Sequence, residues 1–344
     1  MQHVDLILIG FGNVGKAFAQ LLLNKQNDII LTQDVELRLV GIITGRHGMA
    51  YNPDGLPVED CLKVSEAGGR LTQHHQGELC NDALSFIRQY EADVVLETSP
   101  TNVENGQPAI DYLKAALETG KHVVSANKGP VVHAFNEIKN LAASKEKKFA
   151  FESSVLDGAP LFSMLRSGFP AAKIHGFRGI LNSCSNLLLD RMRTGESLEE
   201  AVEYAQMIGI AETNPIGDID GWDAAIKLAA LITIVMGVPT TPQEIEREGI
   251  GNISPKQIEQ AEYEDKRWKL ICKAEMQGDK VVASVKPEMV DANSPFFTVQ
   301  GTNSFLLIHS DVLPGVGLLE SDPEPRTTAY GLLADVLNIV QGKI

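Results

Sequence analysis

The apolar run Val-Asp-Leu-Ile-Leu-Ile, residues 4–9, passes straight into Gly10-Phe11-Gly12-Asn13-Val14-Gly15, and apolar residues at helical spacing follow to Leu23. A G-x-G-x-x-G loop between a buried strand and a helix leaves few folds open. The first glycine permits the tight turn, the second lets the backbone approach a pyrophosphate, and the third lets helix and strand pack closely. The uncapped helix start offers free N–H groups and a positive dipole to phosphate. Gly10, Phe11, Gly12, Asn13, Val14 and Gly15 are therefore the candidate cofactor contacts. The competing reading is a glycine turn that holds no ligand.

Strands and helices alternate through the first 150 residues, which predicts a helix-covered parallel sheet. ELRLVGII, ADVVLE and KHVVSA read as further strands, and IDYLKAALETG as a helix ended by Gly120. Beyond about residue 149, KFAFES, KIHGFRGIL, KVVASVKPEMV and FTVQGTNSFLLIHS read as β-rich segments separated by helices. The expected fold class is α/β: a Rossmann dinucleotide-binding domain plus a mixed α+β domain. Residues 1–133, joined by a C-terminal segment 314–344 whose amphipathic helix packs back on them, form the first domain, and residues 134–313 form the second. A formal net charge of −15 excludes a broad phosphate-binding surface, so no nucleic-acid partner is expected. No apolar run reaches the roughly 18–20 residues of a membrane span, and Asp5 heads the first strand, so neither membrane insertion nor an export signal is expected. Cys61, Cys80, Cys184 and Cys272 form no C-x-x-C pair, which suits reduced thiols in a cytoplasmic enzyme.

The end of the second strand bears on the choice between NAD and NADP. It reads Ile43-Thr44-Gly45-Arg46-His47-Gly48, without the acidic residue that accepts bonds from a ribose 2′-hydroxyl. Arg46 suits a 2′-phosphate, so NADP is the expected cofactor with NAD kept open; the ordinary alternative is a solvated loop arginine. A second cluster spans Glu212, Asp218, Asp220, Asp223 and Lys227. Asp220 is the expected N-cap of a helix running to Gly237, and Asp223 and Lys227 share its face. That helix is otherwise apolar, so a charged pair at its start calls for partners or a cavity. Four carboxylates around one lysine suit an ammonium ligand and a proton-exchanging amine, and equally a capped helix with a surface ion pair.

These segments together resemble the homoserine dehydrogenase family over nearly the whole chain. GFGNVG is similar to the family's cofactor loop, Glu97-Thr98-Ser99-Pro100-Thr101-Asn102 to its nicotinamide-side segment, and Ser125-Ala126-Asn127-Lys128-Gly129-Pro130 to its A-N-K-x motif. Phe151 to Pro160 is similar to E-x-x-V-x-x-G-x-P, and Glu212 to Lys227 to the D-x-x-G-x-D-x-x-x-K signature. The resemblance implies reversible, NAD(P)H-dependent reduction of L-aspartate 4-semialdehyde to L-homoserine, on the route to threonine, methionine and isoleucine. It assigns Lys227 as acid/base at the reacting oxygen and Lys128 as a second lysine facing the same centre, in contact with cofactor. Glu212, Asp218 and Asp223 bind the substrate, with Asp223 also in the catalytic group, and Thr98 and Ser99 join the cofactor contacts. It further implies a sodium or potassium ion held mainly by backbone oxygens of Glu152, Val155, Asp157 and Ala159, and a homodimer formed through the second domain.

Two departures stand out. The family's N-G-T-[ST]-N is here Asn182-Ser183-Cys184-Ser185-Asn186, and its glycine-rich C-terminal loop is Gly315-Val316-Gly317 followed by an acidic stretch, residues 318–326, expected as a longer loop. The first opens two alternatives: a related dehydrogenase for another amino-acid alcohol or aldehyde, and acyl-enzyme chemistry on a Cys184 thiolate favoured by a helix N-terminus. A non-catalytic dinucleotide sensor is the third. No C-terminal regulatory domain is expected after the last helix.

Overall fold

The first apolar run forms β1 (Gln2–Ile9), and the glycine loop turns it into α1 (Asn13–Gln33), which continues well past the expected Leu23. A computed structural model describes all 344 residues. After α1 come β2 (Val35–Thr44), β3 (Gly48–Tyr51), α2 (Val58–Glu66), α3 (Ala83–Gln89) and β4 (Val94–Glu97). Then follow α4 (Ala109–Glu118), β5 (His122–Ser125), α5 (Lys128–His133), α6 (Phe135–Ser144) and β6 (Phe149–Ala150). The six strands pair in the order β3-β2-β1-β4-β5-β6. All neighbours are parallel except the β2–β3 hairpin. Two apolar layers cover the faces. One includes Leu6, Leu8 and Phe18 and takes in Leu332 and Val336, and the other includes Ile7, Val95 and Leu113. The chain order crosses over at β1 and β4, so a crevice opens at their C-terminal ends, where doubly wound sheets bind ligands. The glycine loop follows β1 there, and Thr98 and Ser99 follow β4.

β6 corrects one expectation. KFAFES is expected in the second sheet, but Phe149 pairs with Val123 and completes the first one. The chain divides into one unit of Met1–Pro160 with Glu324–Ile344 and another of Leu161–Pro323.

The second unit contains α7 (Leu161–Gly168), β7 (Ile174–Ile180), α8 (Ser183–Arg193), α9 (Leu198–Met207), α10 (Ile216–Ile219) and α11 (Trp222–Leu231). It continues with β8 (Glu246–Arg247), α12 (Pro255–Tyr263), β9 (Lys266–Gln277), β10 (Lys280–Asp291), β11 (Ser304–Ser310) and β12 (Val316–Glu320). Its sheet has the order β12-β11-β7-β9-β10-β8. β9 was not among the expected strands: exposed Lys273 and Glu275 interrupt its apolar character after Cys272. β12 overturns the long acidic loop expected over 318–326. Its first residues pair antiparallel with β11, Leu319 opposite Phe305, and only a short turn remains before α13 (Pro325–Val340). α13 packs on α1 within the first unit. The helix after Asp223 is buried as expected and ends in a wider π-type turn, Ile232–Met236, before the left-handed Gly237.

Candidate functional site

In the first unit the glycine loop is shaped by backbone contacts. Gly10 has φ +94°, and a Cβ there would lie 2.7 Å from the Thr98 carbonyl oxygen. A Cβ on Gly15 would lie 2.5 Å from the Gly10 carbonyl oxygen. Both positions need glycine for packing. Gly12 differs: no heavy atom lies within 4 Å of its Cβ position, and it starts α1 without a side-chain cap. Open space over the uncapped start of a 21-residue helix fits a pyrophosphate. Thr98 secures the loop from the neighbouring strand, its hydroxyl donating to the carbonyls of Ile9 (3.0 Å) and Gly10 (3.2 Å).

Beside it lies a carboxyl group that the sequence reading did not single out. Glu97 ends the apolar β4 and is 0% exposed. It accepts from the Ser99 N–H at 2.7 Å, from the Ser99 hydroxyl, and from the Ser125 hydroxyl at 3.0 Å. Burial raises its pKa, and those donors oppose the rise. The Ser125 oxygen accepts in turn from the Asn127 N–H at 3.1 Å. Asn127 then bridges, donating to the Ser99 carbonyl at 3.2 Å and accepting from the Gly129 N–H at 2.9 Å, so that it caps α5. Lys128, half-buried, is the first residue of that helix. The signal was a charged residue closing an apolar strand, with two serines and an asparagine in motifs nearby.

Arg46 lies exposed in the turn of the β2–β3 hairpin. The buried His47 ring bonds the Gly69 carbonyl at 2.9 Å, and the His47 carbonyl accepts from the Leu71 N–H. This docks Arg70 on the same turn, its guanidinium nitrogen 3.6 Å from where a Gly48 Cβ would sit. The sequence reading missed Arg70, which is distant in sequence from Arg46. The segment proposed for a monovalent ion is a run of tight turns in the first unit. Glu152 is 2% exposed and its N–H donates to Asp335 at 2.7 Å, while Val155 is buried. Asp157 has φ +35° and accepts from the Thr328 hydroxyl at 2.9 Å, and Ala159 donates to the Leu156 carbonyl.

In the second unit, side chains from three segments converge. Asn182, which caps α8 through the Ser185 N–H at 2.6 Å, donates its amide to Asp218 at 2.7 Å and to Asp223 at 2.9 Å. Lys227 lies 3.3 Å from Asp223 and donates to the Leu181 carbonyl at 2.8 Å. Burial raises the Asp218 pKa first, and the Asp223 charge adds to it. Asp220 is not the N-cap: it ends α10 and is exposed, and the cap is Gly221 in a left-handed conformation, φ +78°. Glu212 is not drawn into this cluster. Its side chain is exposed, and its carbonyl accepts from Gln206.

Cys184 is 4% exposed, and burial together with Asp218 pushes its thiol far above the ordinary range. Burial first, and the neighbouring Asp218 and Asp223 after it, disfavour a thiolate here, so the nucleophile has no support. Chemically, the cluster is suited to hold an ammonium group between two carboxylates, with a lysine at hand for proton exchange at an oxygen.

Two family profiles match the chain. The one described as the homoserine dehydrogenase NAD-binding domain covers residues 10–152, and the one described as homoserine dehydrogenase covers 160–337. An NAD(+)-dependent homoserine dehydrogenase from Pseudomonas canavaninivorans is 32% identical over 99% of this chain and 97% of its own. A homoserine dehydrogenase from Methanocaldococcus jannaschii is 31% identical over 98% of each chain. A hyperthermophilic archaeal homoserine dehydrogenase solved in complex with NADPH aligns with TM-score 0.84 at 27% identity, covering 99% of this chain and 98% of that one.

Proposed function

The chain belongs to the homoserine dehydrogenase family, and from that premise we propose which of its residues carry each part of the reaction. The reaction interconverts L-homoserine and L-aspartate 4-semialdehyde with a nicotinamide dinucleotide, an oxidoreduction at a CH–OH group. When bound, the dinucleotide gives or takes the hydride at its nicotinamide ring, and the protein aligns and stabilises charge. Gly10, Phe11, Gly12, Asn13, Val14 and Gly15 hold the pyrophosphate, with Thr98 and Ser99 on the neighbouring strand end.

On the substrate side, Asp218 and Asp223 receive the ammonium group, and Glu212, expected in the same role, lies exposed outside their hydrogen-bonded cluster. Lys227 exchanges a proton with the reacting oxygen, and Lys128 acts as the second lysine. The observation that carries this reading is the Asn182 amide bound to both Asp218 and Asp223, with Lys227 3.3 Å from Asp223. NADP is the preferred cofactor, supported by Arg46 on the β2–β3 turn with Arg70 packed against that turn, and by the absence of an acid at the end of β2. Relatives divide on this point, one being described as NAD(+)-dependent and another as bound to NADPH.

The turns of Glu152, Val155, Asp157 and Ala159 hold a sodium or potassium ion, favoured by a buried acidic residue and the left-handed Asp157. The enzyme is a homodimer through the second unit, whose Leu319, Val282 and Met289 leave apolar surface exposed. It works in the cytoplasm, in keeping with four unpaired cysteines. No helix is long and apolar enough to cross a membrane.

The test is purified protein with L-homoserine and either NADP⁺ or NAD⁺, following absorbance of the reduced cofactor, beside a panel of other amino-acid alcohols. Homoserine is expected to give the highest kcat/KM, and NADP⁺ the lower cofactor KM. Turnover of another alcohol in preference to homoserine would overturn the substrate.

A further inference from the structure

Asp218 and Asp223 accept from the same amide nitrogen, so two acidic groups are held close together. Like charges at that spacing repel, and the segment bearing Asp218 has little of its own to resist. It is a four-residue helix in a polar turn whose Ile216, Gly217 and Asp220 are all exposed. Something must brace the turn from behind.

We propose that Arg247 is a positioning residue that clamps this turn and so presents Asp218 and Asp223 as one ammonium-binding pair. The guanidinium stacks on the Trp222 ring, 3.9 Å from its centroid, and donates to the Asp220 carbonyl. One side chain thus grips the residue next to Asp223 and the residue two along from Asp218. The strand it stands on is itself fixed: Arg247 pairs with Val285, and the Glu248 N–H donates to the Val285 carbonyl at 2.8 Å. The segment after it presses on the turn, the Ile250 N–H donating to the Ile219 carbonyl at 2.8 Å. A Cβ on Gly249 would lie only 2.3 Å from that carbonyl oxygen, so the approach requires glycine there. Gly221, left-handed, completes the hinge between α10 and α11. Front and back of the turn are then pinned to different elements, Asn182 on one side and β8 on the other. A flat, always charged side chain that stacks and donates together is what arginine supplies and lysine does not.

The inference rests on the reading that these carboxylates bind the substrate amino group, and a double-mutant cycle separates the two. Asp218→Asn, Arg247→Ala and the double variant are compared by KM for L-homoserine, KM for the dinucleotide, and kcat. Arg247→Ala is expected to raise the homoserine KM about fivefold or more, leaving the dinucleotide KM unchanged. In the Asp218→Asn background the same change is expected to add less than about twofold, because the arginine acts through the turn. If Asp218→Asn alone leaves the homoserine KM unchanged, the substrate reading falls and the proposal with it. If Asp218→Asn raises KM but Arg247→Ala is silent or fully additive, the substrate reading stands and the clamp is refuted. Should Arg247→Ala not fold, Arg247→Lys keeps the donor, loses the stack and carries the same cycle with an expected effect of about twofold.

Discussion

The glycine loop of the first unit and the Asp218–Lys227 cluster of the second, proposed as the dinucleotide and substrate sites, are built in opposite ways. The first works with main chain: Gly10 and Gly15 are small because neighbouring carbonyls leave no room, and Gly12 leaves space at an uncapped helix start. Its groups are neutral dipoles, held by β1, α1 and Thr98. The second works with side chains from Asn182, Asp218, Asp223 and Lys227, brought together against desolvation and mutual repulsion. A backbone site costs little stability and is altered only by a side chain that fills its space or breaks its packing. A charged site is costly, is braced from outside, and is changed by one residue. Six substitutions test that contrast.

The largest effect is expected at Lys227. Lys227→Met keeps the length of the side chain and removes the amine, so kcat should fall by about a thousandfold or more while dinucleotide affinity is retained. Fluorescence titration with reduced cofactor beside the activity assay separates the two. Loss of cofactor affinity on the same scale as turnover would show that the charged cluster does not act on substrate alone. Next comes Gly12→Val, which puts a branched side chain into the open space before α1. We expect dinucleotide affinity to drop by about a hundredfold with the thermal midpoint nearly unchanged. Gly15→Val is the counterpart that should unfold the loop, because its Cβ would meet the Gly10 carbonyl at 2.5 Å. Equal stability losses in both would remove the distinction between a packing glycine and a ligand-facing one.

The two regions also differed in how far they could be read from sequence. The glycine loop was legible because its elements are contiguous: strand, turn and helix lie within about twenty residues, and hydrophobic period marks each one. The pairing of Asp223 with Lys227 was legible for the same reason, as one helical turn. The Asn182 bridge was not, since Asn182 and Asp218 are 36 residues apart and only tertiary folding joins them. Asp220 is the expected cap because aspartate is a common capping residue, whereas the sharp bend after α10 requires a left-handed glycine, Gly221. β12 was hidden because Leu318 and Leu319 precede an acidic run that looks like a loop, and a partner strand decides the matter. Glu97 reads in sequence as the end of a strand, its significance resting on Ser99 two residues on and on Ser125 from another motif.

Arg46 tests whether charge matters on the backbone side as well. Arg46→Ala should raise the KM for NADP⁺ about tenfold and leave that for NAD⁺ within about twofold, since only the former carries a 2′-phosphate. Arg70→Ala is expected to act in the same direction, and the double variant should bring the two cofactors close to parity. Equal losses for both cofactors would place these arginines on the adenosine or the pyrophosphate instead. The first unit would then recognise its ligand without any discriminating charge.

The smallest effect bears most directly on the cost of the charged site. Asp218 has its pKa raised by burial and by Asp223, so at neutral pH its charged form opposes folding. A carboxyl whose folded pKa is raised favours the folded state at low pH, and that contribution is lost as pH rises through the folded value. Asp218→Asn keeps an oxygen for the Asn182 amide and removes the charge. It should therefore stabilise the protein at pH 7 by about 0.5–1 kcal/mol, a discount being made for the partial exposure of the side chain. For a chain of this size that corresponds to about one degree in thermal midpoint. The gain should shrink as pH is lowered through the raised pKa, where the native carboxyl is already protonated. Calorimetry of both proteins across acidic and neutral pH measures it. A variant less stable than the parent at pH 7 would mean that the hydrogen bond from Asn182 to a carboxylate outweighs repulsion and burial, and the charged site would then contribute to the fold as well as to recognition.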